Sequence, residues 1–181
     1  MAILADEHTR VMVQGITGRE ATSFTKDMID YGTKVVAGIT PGKGGQRVHG
    51  VPVYDTVRQA MRECPAEATV ISVPPALVKD AVIEAVENGI RLAVVVSERV
   101  PRKDTIEFLE VAQSCNARVI GPNTSGMINV LTNMNLVGLN RVPRGSIALI
   151  SQSGRRYTSS IRPALNSVRV KPLSSDALHA A

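Results

Sequence analysis

The chain has 181 residues, of which 44% are apolar and 20% are charged, so it can bury a core of ordinary size in one domain with a short appendage. It contains no apolar run of the roughly 20 residues that a membrane-spanning helix needs, and the acids near its N-terminus are unlike a signal peptide. Composition therefore disfavours a membrane protein and predicts a cytoplasmic one.

The net charge of +5 is concentrated at the C-terminal end. From Arg155 onward there are five Arg or Lys and one acid, Asp176, so this segment carries +4 and residues 1–154 carry only +1. A nucleic-acid-binding domain normally has a basic face within its folded part and aromatic side chains that stack on bases. Aromatic residues make up 3% of this chain and Trp is absent. We therefore expect no nucleic-acid partner.

The two cysteines are far apart in the sequence. Cys64 and Cys115 belong to no Cys-x-x-Cys pair, which would be the pattern of a metal or redox site. In a cytoplasmic protein such residues are typically reduced. We expect two half-buried thiols and predict no metal site.

Strand-like and helix-like segments alternate along most of the chain. The predicted strands, in chain order, are RVMVQG (10–15), KVVAGI (34–39), VPVY (51–54), TVISVPP (69–75), RLAVVVS (91–97), RVIG (118–121) and SIALISQSG (146–154). Helices are predicted over residues 19–31, 55–64, 76–89 and 103–115, with Asp55 capping the second, and Gly32 and Gly89 ending the first and third. This alternation is typical of an α/β fold with a Rossmann-like, doubly wound parallel sheet.

The regular alternation weakens after residue 126. Residues 127–145 have the composition of irregular or short extended structure, and residues 155–181 are basic and rich in Ser, Arg and Pro without a sustained period. We therefore expect a domain over 1–145, one further strand over 146–154 and an irregular basic tail over 155–181.

The turn QGITGRE, residues 14–20, joins the first predicted strand to the first predicted helix. This arrangement presents unpaired backbone N–H groups and the positive end of a helix dipole to an anion. Gly15 permits a tight turn, Gly18 permits close approach of a ligand, and Thr17 supplies a hydroxyl. A Gly-x-x-Gly turn can also form without any ligand. Its position after the first strand of an alternating pattern favours a phosphate site.

The loop ITPGKGGQRVHG, residues 39–50, bears on which phosphate ligand could bind. A dinucleotide site places an Asp or Glu at the end of the second strand, where this chain has Ile39, Thr40 and Pro41, followed by Lys43. The missing acid disfavours NAD. A nucleotide-hydrolysing P-loop needs Gly-x4-Gly-Lys-Ser/Thr, and a glycine here replaces the hydroxyl residue after the lysine. This departure from the P-loop pattern disfavours a P-loop as well.

Coenzyme A fits these features better than either nucleotide class. Lys43 can be a solvated lysine in a flexible loop, but its place among glycines beside the anion turn favours a phosphate contact. CoA combines a pyrophosphate, a 3′-phosphoribose and an adenine that needs apolar and backbone surface. The segments SVPPAL (72–77) and VSERVP (96–101) supply such surfaces at the ends of later strands.

Six segments, VQGITGRE, VAGITPGKGG, GVPVYDTV, VPPA, VSERVP and GPNTSG, together resemble the α subunit of succinyl-CoA synthetase and the related NDP-forming acid–CoA ligases. The resemblance runs in order over residues 2 to about 154, and in that family the N-terminal domain binds CoA. It implies a phosphate turn, a phosphate-contacting lysine loop, a groove wall at two later strand ends, and an asparagine near the thiol. The residues expected to bind CoA are Gly15, Thr17, Gly18, Arg19, Glu20, Pro41, Lys43, Val73, Pro74, Val96, Ser97, Glu98 and Asn123.

The resemblance also implies a reaction, known from the tricarboxylic acid cycle. Family members form an acyl phosphate from acyl-CoA and phosphate, pass the phosphoryl group to a histidine in a second α-subunit domain, and deliver it to a nucleotide on a β-type (ATP-grasp) subunit. The histidines of this chain are His8, His49 and His179, and none lies in a context expected of that carrier. We therefore assign no catalytic residue and expect the isolated chain to bind CoA without turnover.

Two departures from the family pattern qualify these expectations. The family commonly has Cys-Pro-Gly where this chain has Thr124, Ser125 and Gly126, which leaves the acid substrate open. LISQSG resembles the start of the phosphohistidine domain, whereas residues 155–181 resemble nothing that follows it. We hypothesise a frameshifted or degenerate gene product, which an intact downstream reading frame would support. A stand-alone CoA-binding regulatory module is the main alternative, and an NAD(H)-binding protein is a third.

Overall fold

Strands and helices alternate in the computed structural model of the protein, which describes residues 4–129 and 132–137. The strands are β1 (Arg10–Gln14), β2 (Lys34–Ile39), β3 (Arg47–Val48), β4 (Val51–Tyr54), β5 (Ala68–Ile71), β6 (Leu92–Val95), β7 (Arg118–Ile120), β8 (Met127–Asn129) and β9 (Met134–Leu136). The helices are α1 (Arg19–Tyr31), α2 (Val57–Glu63), α3 (Val78–Glu87) and α4 (Arg102–Ser114), and a 3-10 turn over Pro75–Leu77 precedes α3.

Seven strands form one sheet in the order β3-β4-β2-β1-β5-β6-β7, and every pair except β3–β4 is parallel. From the central strand β1 the chain proceeds outward through β2 and β4, and then crosses back to β5 on the other side. The direction of winding thus reverses between β1 and β5. Ligands of open parallel sheets bind at such a point, beyond the carboxyl ends of the strands.

The two faces of the sheet are covered by different helices. Val11 and Val13 of β1 belong to a buried cluster with α1 and the β8–β9 hairpin, whereas Met12 between them packs with α2 and α3 on the other face. Phe108 of α4 is fully buried with α3 against β5 and β6. Successive strand residues point to opposite faces, so strands buried on both sides are apolar throughout. The predicted doubly wound α/β fold is confirmed.

The β8–β9 hairpin lies in the segment predicted to be irregular or short extended structure, and its two strands have three residues each. It is tied to the end of α1 through Thr33, whose hydroxyl donates to the Asn135 carbonyl at 2.8 Å and accepts from the Asn135 N–H at 2.9 Å. Gly32, the predicted end of α1, has φ +113 and its N–H bonds the carbonyls of the last helical turn. The prediction for Gly32 is confirmed.

One predicted helix cap is wrong. The cap of α2 is Thr56, whose hydroxyl accepts from the Gln59 N–H at 3.1 Å, and not Asp55. The Asp55 carboxylate instead accepts from the Gly44 N–H at 3.0 Å, in the loop that follows β2. The first predicted helix has the observed bounds, and the third and fourth differ from those observed by one or two residues at each end, where helices fray. The two-residue strand β3 was not predicted.

Several sequence predictions concern features outside these elements. Cys64 and Cys115 are half-buried free thiols, as expected. No helix in the described part of the chain is long and apolar enough to cross a membrane. The domain over 1–145 stays a prediction, and the segments 146–154 and 155–181 lie outside the described residues.

Candidate functional site

A cavity of about 820 Å³ opens where the direction of winding reverses, at the carboxyl ends of β1, β5 and β6. Its walls come from the start of α1, from the segments that follow β5 and β6, and from the end of β9. The lining residues are Gly18, Arg19, Glu20, Ala21, Phe24, Ser72, Val73, Pro75, Val96, Ser97, Glu98, Arg99 and Val137. A cavity of this size is large enough for a nucleotide-containing cofactor.

The first turn of α1 forms one wall of the cavity. Gly18 is its N-cap and brings no side chain to cap the helix, and the first helical bond runs from the Thr22 N–H to the Gly18 carbonyl at 2.8 Å. The N–H groups of Arg19, Glu20 and Ala21 precede that bond, and an α-helix leaves such groups without partners inside the helix. These three residues line the cavity at the positive end of the helix dipole, which is an arrangement suited to an anion.

The turn that leads into α1 depends on Gly15. This residue has φ +80, and a Cβ built on it would overlap the backbone carbonyl oxygen of Ser72. Its N–H donates to the Ile39 carbonyl at 2.7 Å, so it is committed to the turn and is not available to a ligand. The role of Gly15 as a tight-turn residue is confirmed in its geometry. Gly18 lines the cavity, whereas Gly15 does not.

The opposite wall is held rigidly by hydrogen bonds between neighbouring strand ends. The Ser97 hydroxyl donates to the Val73 carbonyl at 2.6 Å, and the Ser97 carbonyl accepts from the Asn123 N–H at 3.1 Å. The Val96 N–H donates to the Ile71 carbonyl at 3.1 Å. The segments after β5, β6 and β7 are therefore fixed relative to one another.

The loop that carries Lys43 lies one strand away from this cavity, after β2. Its backbone is ordered by bonds from the Lys43 N–H to the Thr40 carbonyl at 3.1 Å and from the Gln46 N–H to the Lys43 carbonyl at 3.3 Å. The hydroxyls of Thr17 and Thr40, 3.2 Å apart, join it to the turn before α1. Lys43 is exposed and does not line the cavity. It borders the same edge of the sheet, as its sequence position predicted.

Four charged side chains line the cavity: Arg19 and Arg99 are cationic, and Glu20 and Glu98 are anionic. None of the four forms an ion pair with another residue of the described ranges 4–129 and 132–137. Their hydrogen-bonding capacity is therefore open to a ligand. No group of three His, Cys, Asp or Glu within those ranges could hold a metal ion.

The structure brings together seven of the residues predicted to bind CoA. Those that line the cavity are Gly18, Arg19, Glu20, Val73, Val96, Ser97 and Glu98. Those outside its lining are Gly15, Thr17, Pro41, Lys43, Pro74 and Asn123. Among these, Asn123 is joined to the wall by the hydrogen bond from its N–H to the Ser97 carbonyl.

Sequence analysis missed six lining residues, namely Ala21, Phe24, Ser72, Pro75, Arg99 and Val137. Ser72, Pro75 and Arg99 belong to SVPPAL and VSERVP, the segments whose strand-end position predicts a ligand surface, but position at a strand end does not distinguish one residue of a segment from another. Phe24 lies on the inner face of α1, where it resembles an ordinary core residue. Val137 follows β9, a strand with no sequence signal strong enough to place it near α1.

Comparison with known proteins identifies the family. Residues 6–99 match the protein family described as "CoA binding domain". The chain is 44% identical over 155 residues to "Succinate--CoA ligase [ADP-forming] subunit alpha 2" of Archaeoglobus fulgidus, covering 85% of this chain and 54% of that protein. It is also 44% identical over 160 residues to an ADP-forming sulfoacetate-CoA ligase subunit of an Acholeplasma species, covering 85% of this chain and 53% of that protein.

The solved structures agree on the fold. The apo form of the dinucleotide forming acetyl-coenzyme A synthetase 1 of Candidatus Korarchaeum cryptofilum matches with a TM-score of 0.73 at 24% identity, over 88% of this chain and 36% of that one. The present chain spans about half the length of the curated relatives it matches. The family match covers β1 through the loop after β6, and thus both principal walls of the cavity. This chain belongs to the CoA-binding domain family, whose cofactor is coenzyme A, and it resembles the α subunits of succinate–CoA ligases.

Proposed function

We propose that this chain is the CoA-binding portion of the α subunit of an NDP-forming acid–CoA ligase. The observation that carries the proposal is the cavity at the β1–β5 reversal, which combines the uncapped N-terminus of α1 with a rigid apolar and polar wall. The similarity to ligase α subunits over 85% of the chain supports the same assignment. The complete enzyme interconverts acyl-CoA, phosphate and NDP with acid, CoA and NTP.

The proposed pose places the CoA pyrophosphate at the first turn of α1, where Arg19, Glu20 and Ala21 line the cavity and their backbone N–H groups serve as donors. Lys43, with Pro41 beside it, meets the 3′-phosphate from the neighbouring loop. Thr17 supports that loop through its bond to Thr40.

The rest of the cofactor lies along the second wall. Val73, Pro74 and Val96 supply apolar surface for its uncharged parts. Glu98 accepts hydrogen bonds from ribose hydroxyl or adenine amino groups, because a carboxylate is an acceptor of both. Asn123, held beside Ser97, lies toward the thiol end.

The proposed reaction requires a histidine carrier and a β-type, ATP-grasp partner subunit in addition to this domain. Of the two histidines in the described residues, His8 is exposed before β1, and the His49 Nε2 lies 2.9 Å from the Thr22 carbonyl. Neither lines the cavity. His179 lies outside the described residues, so the proposal for the described domain is that it binds CoA without transferring phosphoryl groups. The acid substrate, a place in the tricarboxylic acid cycle and a cytoplasmic location stay predictions.

Calorimetry with CoA, dephospho-CoA and NADH tests the binding role. We expect the wild-type chain to bind CoA more tightly than dephospho-CoA, and the Lys43→Ala variant to lose about tenfold in CoA affinity, the size of one charge-assisted hydrogen bond. Lys34→Ala is a matched control, since Lys34 is an exposed lysine at the opposite end of β2. Equal affinity for NADH and CoA, or an unchanged affinity after Lys43→Ala, would contradict the assignment.

Assembly distinguishes a ligase subunit from a stand-alone regulatory module. We expect a β-type subunit of an NDP-forming acid–CoA ligase from the same genome to form a complex with this chain in size-exclusion chromatography. A chain that binds CoA but forms no complex with any such subunit would favour the regulatory module. A second measurement follows acyl-CoA-dependent NTP formation, which we expect to be absent for the isolated chain.

A further inference from the structure

Arg99 has a backbone conformation that is unusual for its side chain. It has φ +56, in the left-handed region, and it lies in the loop between β6 and α4, where it lines the cavity. Clashes between the Cβ and the backbone make this region unfavourable for residues other than glycine. Such a residue persists where the surrounding structure imposes the conformation, and these positions concentrate at functional sites.

Two anchored residues, Ser97 before Arg99 and Val100 after it, hold the turn that contains Arg99. Ser97 is held by its hydroxyl bond to Val73 and by the bond from Asn123 to its carbonyl. Val100 packs against the buried cluster formed by α3, α4 and β6. Both ends of the turn are therefore anchored. The two residues between these anchors, Glu98 and Arg99, are exposed and line the cavity.

The cavity is lined by two carboxylates, so an anionic ligand needs a second cationic residue there in addition to Arg19. Glu20 and Glu98 would repel a diphosphate, and Arg19 and Arg99 balance them. Without Arg99, the lining would carry one net negative charge. Because Arg99 has no carboxylate partner among the described residues, its guanidinium is available to the ligand.

The position of Arg99 indicates which phosphate it meets. Parallel strands are spaced about 4.8 Å apart, so the ends of β2 and β6, three spacings apart in the sheet, are separated by roughly 14 Å. Lys43 follows β2 and lies outside the cavity, whereas Arg99 follows β6 and lines it, so we assign the two residues to different phosphates of the ligand. Arg99 and the N-terminus of α1 instead line one cavity.

We propose that Arg99 is a further CoA-binding residue, which donates hydrogen bonds to the pyrophosphate from the wall opposite the N-terminus of α1. This inference rests on the proposed function, and it adds a determinant of specificity for ligands that carry a diphosphate. A guanidinium presents two parallel donors to phosphate oxygens, which suits it to this role better than an ammonium group. The pyrophosphate is then held between a helix terminus and an arginine.

Two substitutions separate the side chain of Arg99 from its backbone strain. Arg99→Gly removes both the guanidinium and the strain, whereas Arg99→Ala removes the guanidinium and retains the strain. Asn116→Gly is the matched backbone control, because Asn116 has φ +53 at the end of α4, outside the cavity. Arg58→Ala is the charge control, since Arg58 is exposed on α2 and also outside the cavity. The measurements are calorimetric titrations with CoA and with dephospho-CoA, together with Tm.

Both Arg99 variants are expected to bind CoA about threefold to tenfold more weakly than the wild type, as for a partly exposed charged contact. The same factor is expected for dephospho-CoA, which keeps the pyrophosphate. Arg99→Gly is expected to have a Tm about 2 to 4 °C above that of Arg99→Ala and no lower than that of the wild type. Both controls should bind as the wild type does.

Three results would overturn the inference. Binding within twofold of the wild type in both Arg99 variants would show that the guanidinium makes no contact. Weaker binding of CoA alone, with dephospho-CoA unaffected, would assign Arg99 to the 3′-phosphate. A lower Tm in Arg99→Gly that accompanies the lost affinity would show a structural role. If the wild-type chain binds neither ligand, the proposed function fails as well, and that outcome is recognised before any variant is made.

Discussion

Replacing Gly15 by alanine tests whether the turn before α1 is set by steric necessity. Gly15 has φ +80, and an added Cβ would overlap the Ser72 carbonyl oxygen, which belongs to backbone and cannot rotate away. The left-handed conformation costs alanine about 1–2 kcal/mol, and overpacking typically adds about 1–3 kcal/mol. Reduced freedom of the unfolded chain returns about 0.5–1 kcal/mol. We therefore expect Gly15→Ala to lower the free energy of unfolding by about 1–4.5 kcal/mol.

Urea denaturation followed by circular dichroism measures this loss. Gly42→Ala is the matched control, since Gly42 has φ +75 but no atom within 4 Å of the added Cβ. We expect the control to lose about 1 kcal/mol or less, from backbone strain alone. Movement of Ser72 away from the new methyl group should also shift Val73 in the cavity wall and weaken CoA binding in Gly15→Ala. Equal losses of stability in the two variants would refute the steric argument.

Three further predictions concern parts of the fold outside the cavity. Thr56→Ala should destabilise the chain by about 1 kcal/mol in urea denaturation through the lost cap of α2, and Thr56→Ser should restore most of it. Thr33→Val removes the hydroxyl that donates to and accepts from the backbone of Asn135, and should cost about 1–3 kcal/mol in the same assay. The hydrogen bond from Lys79 lowers the pKa of Glu107, so this pair stabilises the folded chain at neutral pH and the contribution is lost as pH falls through that lowered pKa. Glu107→Gln should therefore reduce the acid dependence of stability, and an unchanged pH profile would show that the pair contributes nothing.

Periodicity and glycine position were sufficient to predict the main elements. The strands RVMVQG and KVVAGI are apolar on both faces because both faces of the sheet are covered, and Gly32 ends α1 because its φ of +113 suits glycine. The strand-end segments QGITGRE, SVPPAL and VSERVP meet at one edge because parallel strands share their carboxyl ends. These features depend on local sequence and on the rules of parallel sheets, so they could be predicted without a structure.

Features that depend on long-range contacts could not be predicted. Asp55 and Thr56 are both good N-cap residues, and the contact that distinguishes them is the hydrogen bond that the Asp55 carboxylate accepts from the N–H of Gly44, eleven residues earlier. The segment VSERVP predicts an apolar and backbone surface, whereas the φ of Arg99 and its place in the cavity depend on the anchors at Ser97 and Val100. Val137 enters the cavity through a hairpin whose attachment to α1 spans 102 residues of sequence.

The bond between Asp55 and Gly44 has a consequence for the kinetics of ligand capture. It joins the lysine loop to the chain just before α2, and the turns on either side of Lys43 are closed by backbone bonds. The loop is thus already ordered in the folded protein, so ligand binding costs little further conformational entropy there. A preformed site captures its ligand in one bimolecular step, so the observed association rate should rise linearly with CoA concentration and show no plateau. Asp55→Ala should slow association and introduce a concentration-independent phase, in which the loop closes after first contact.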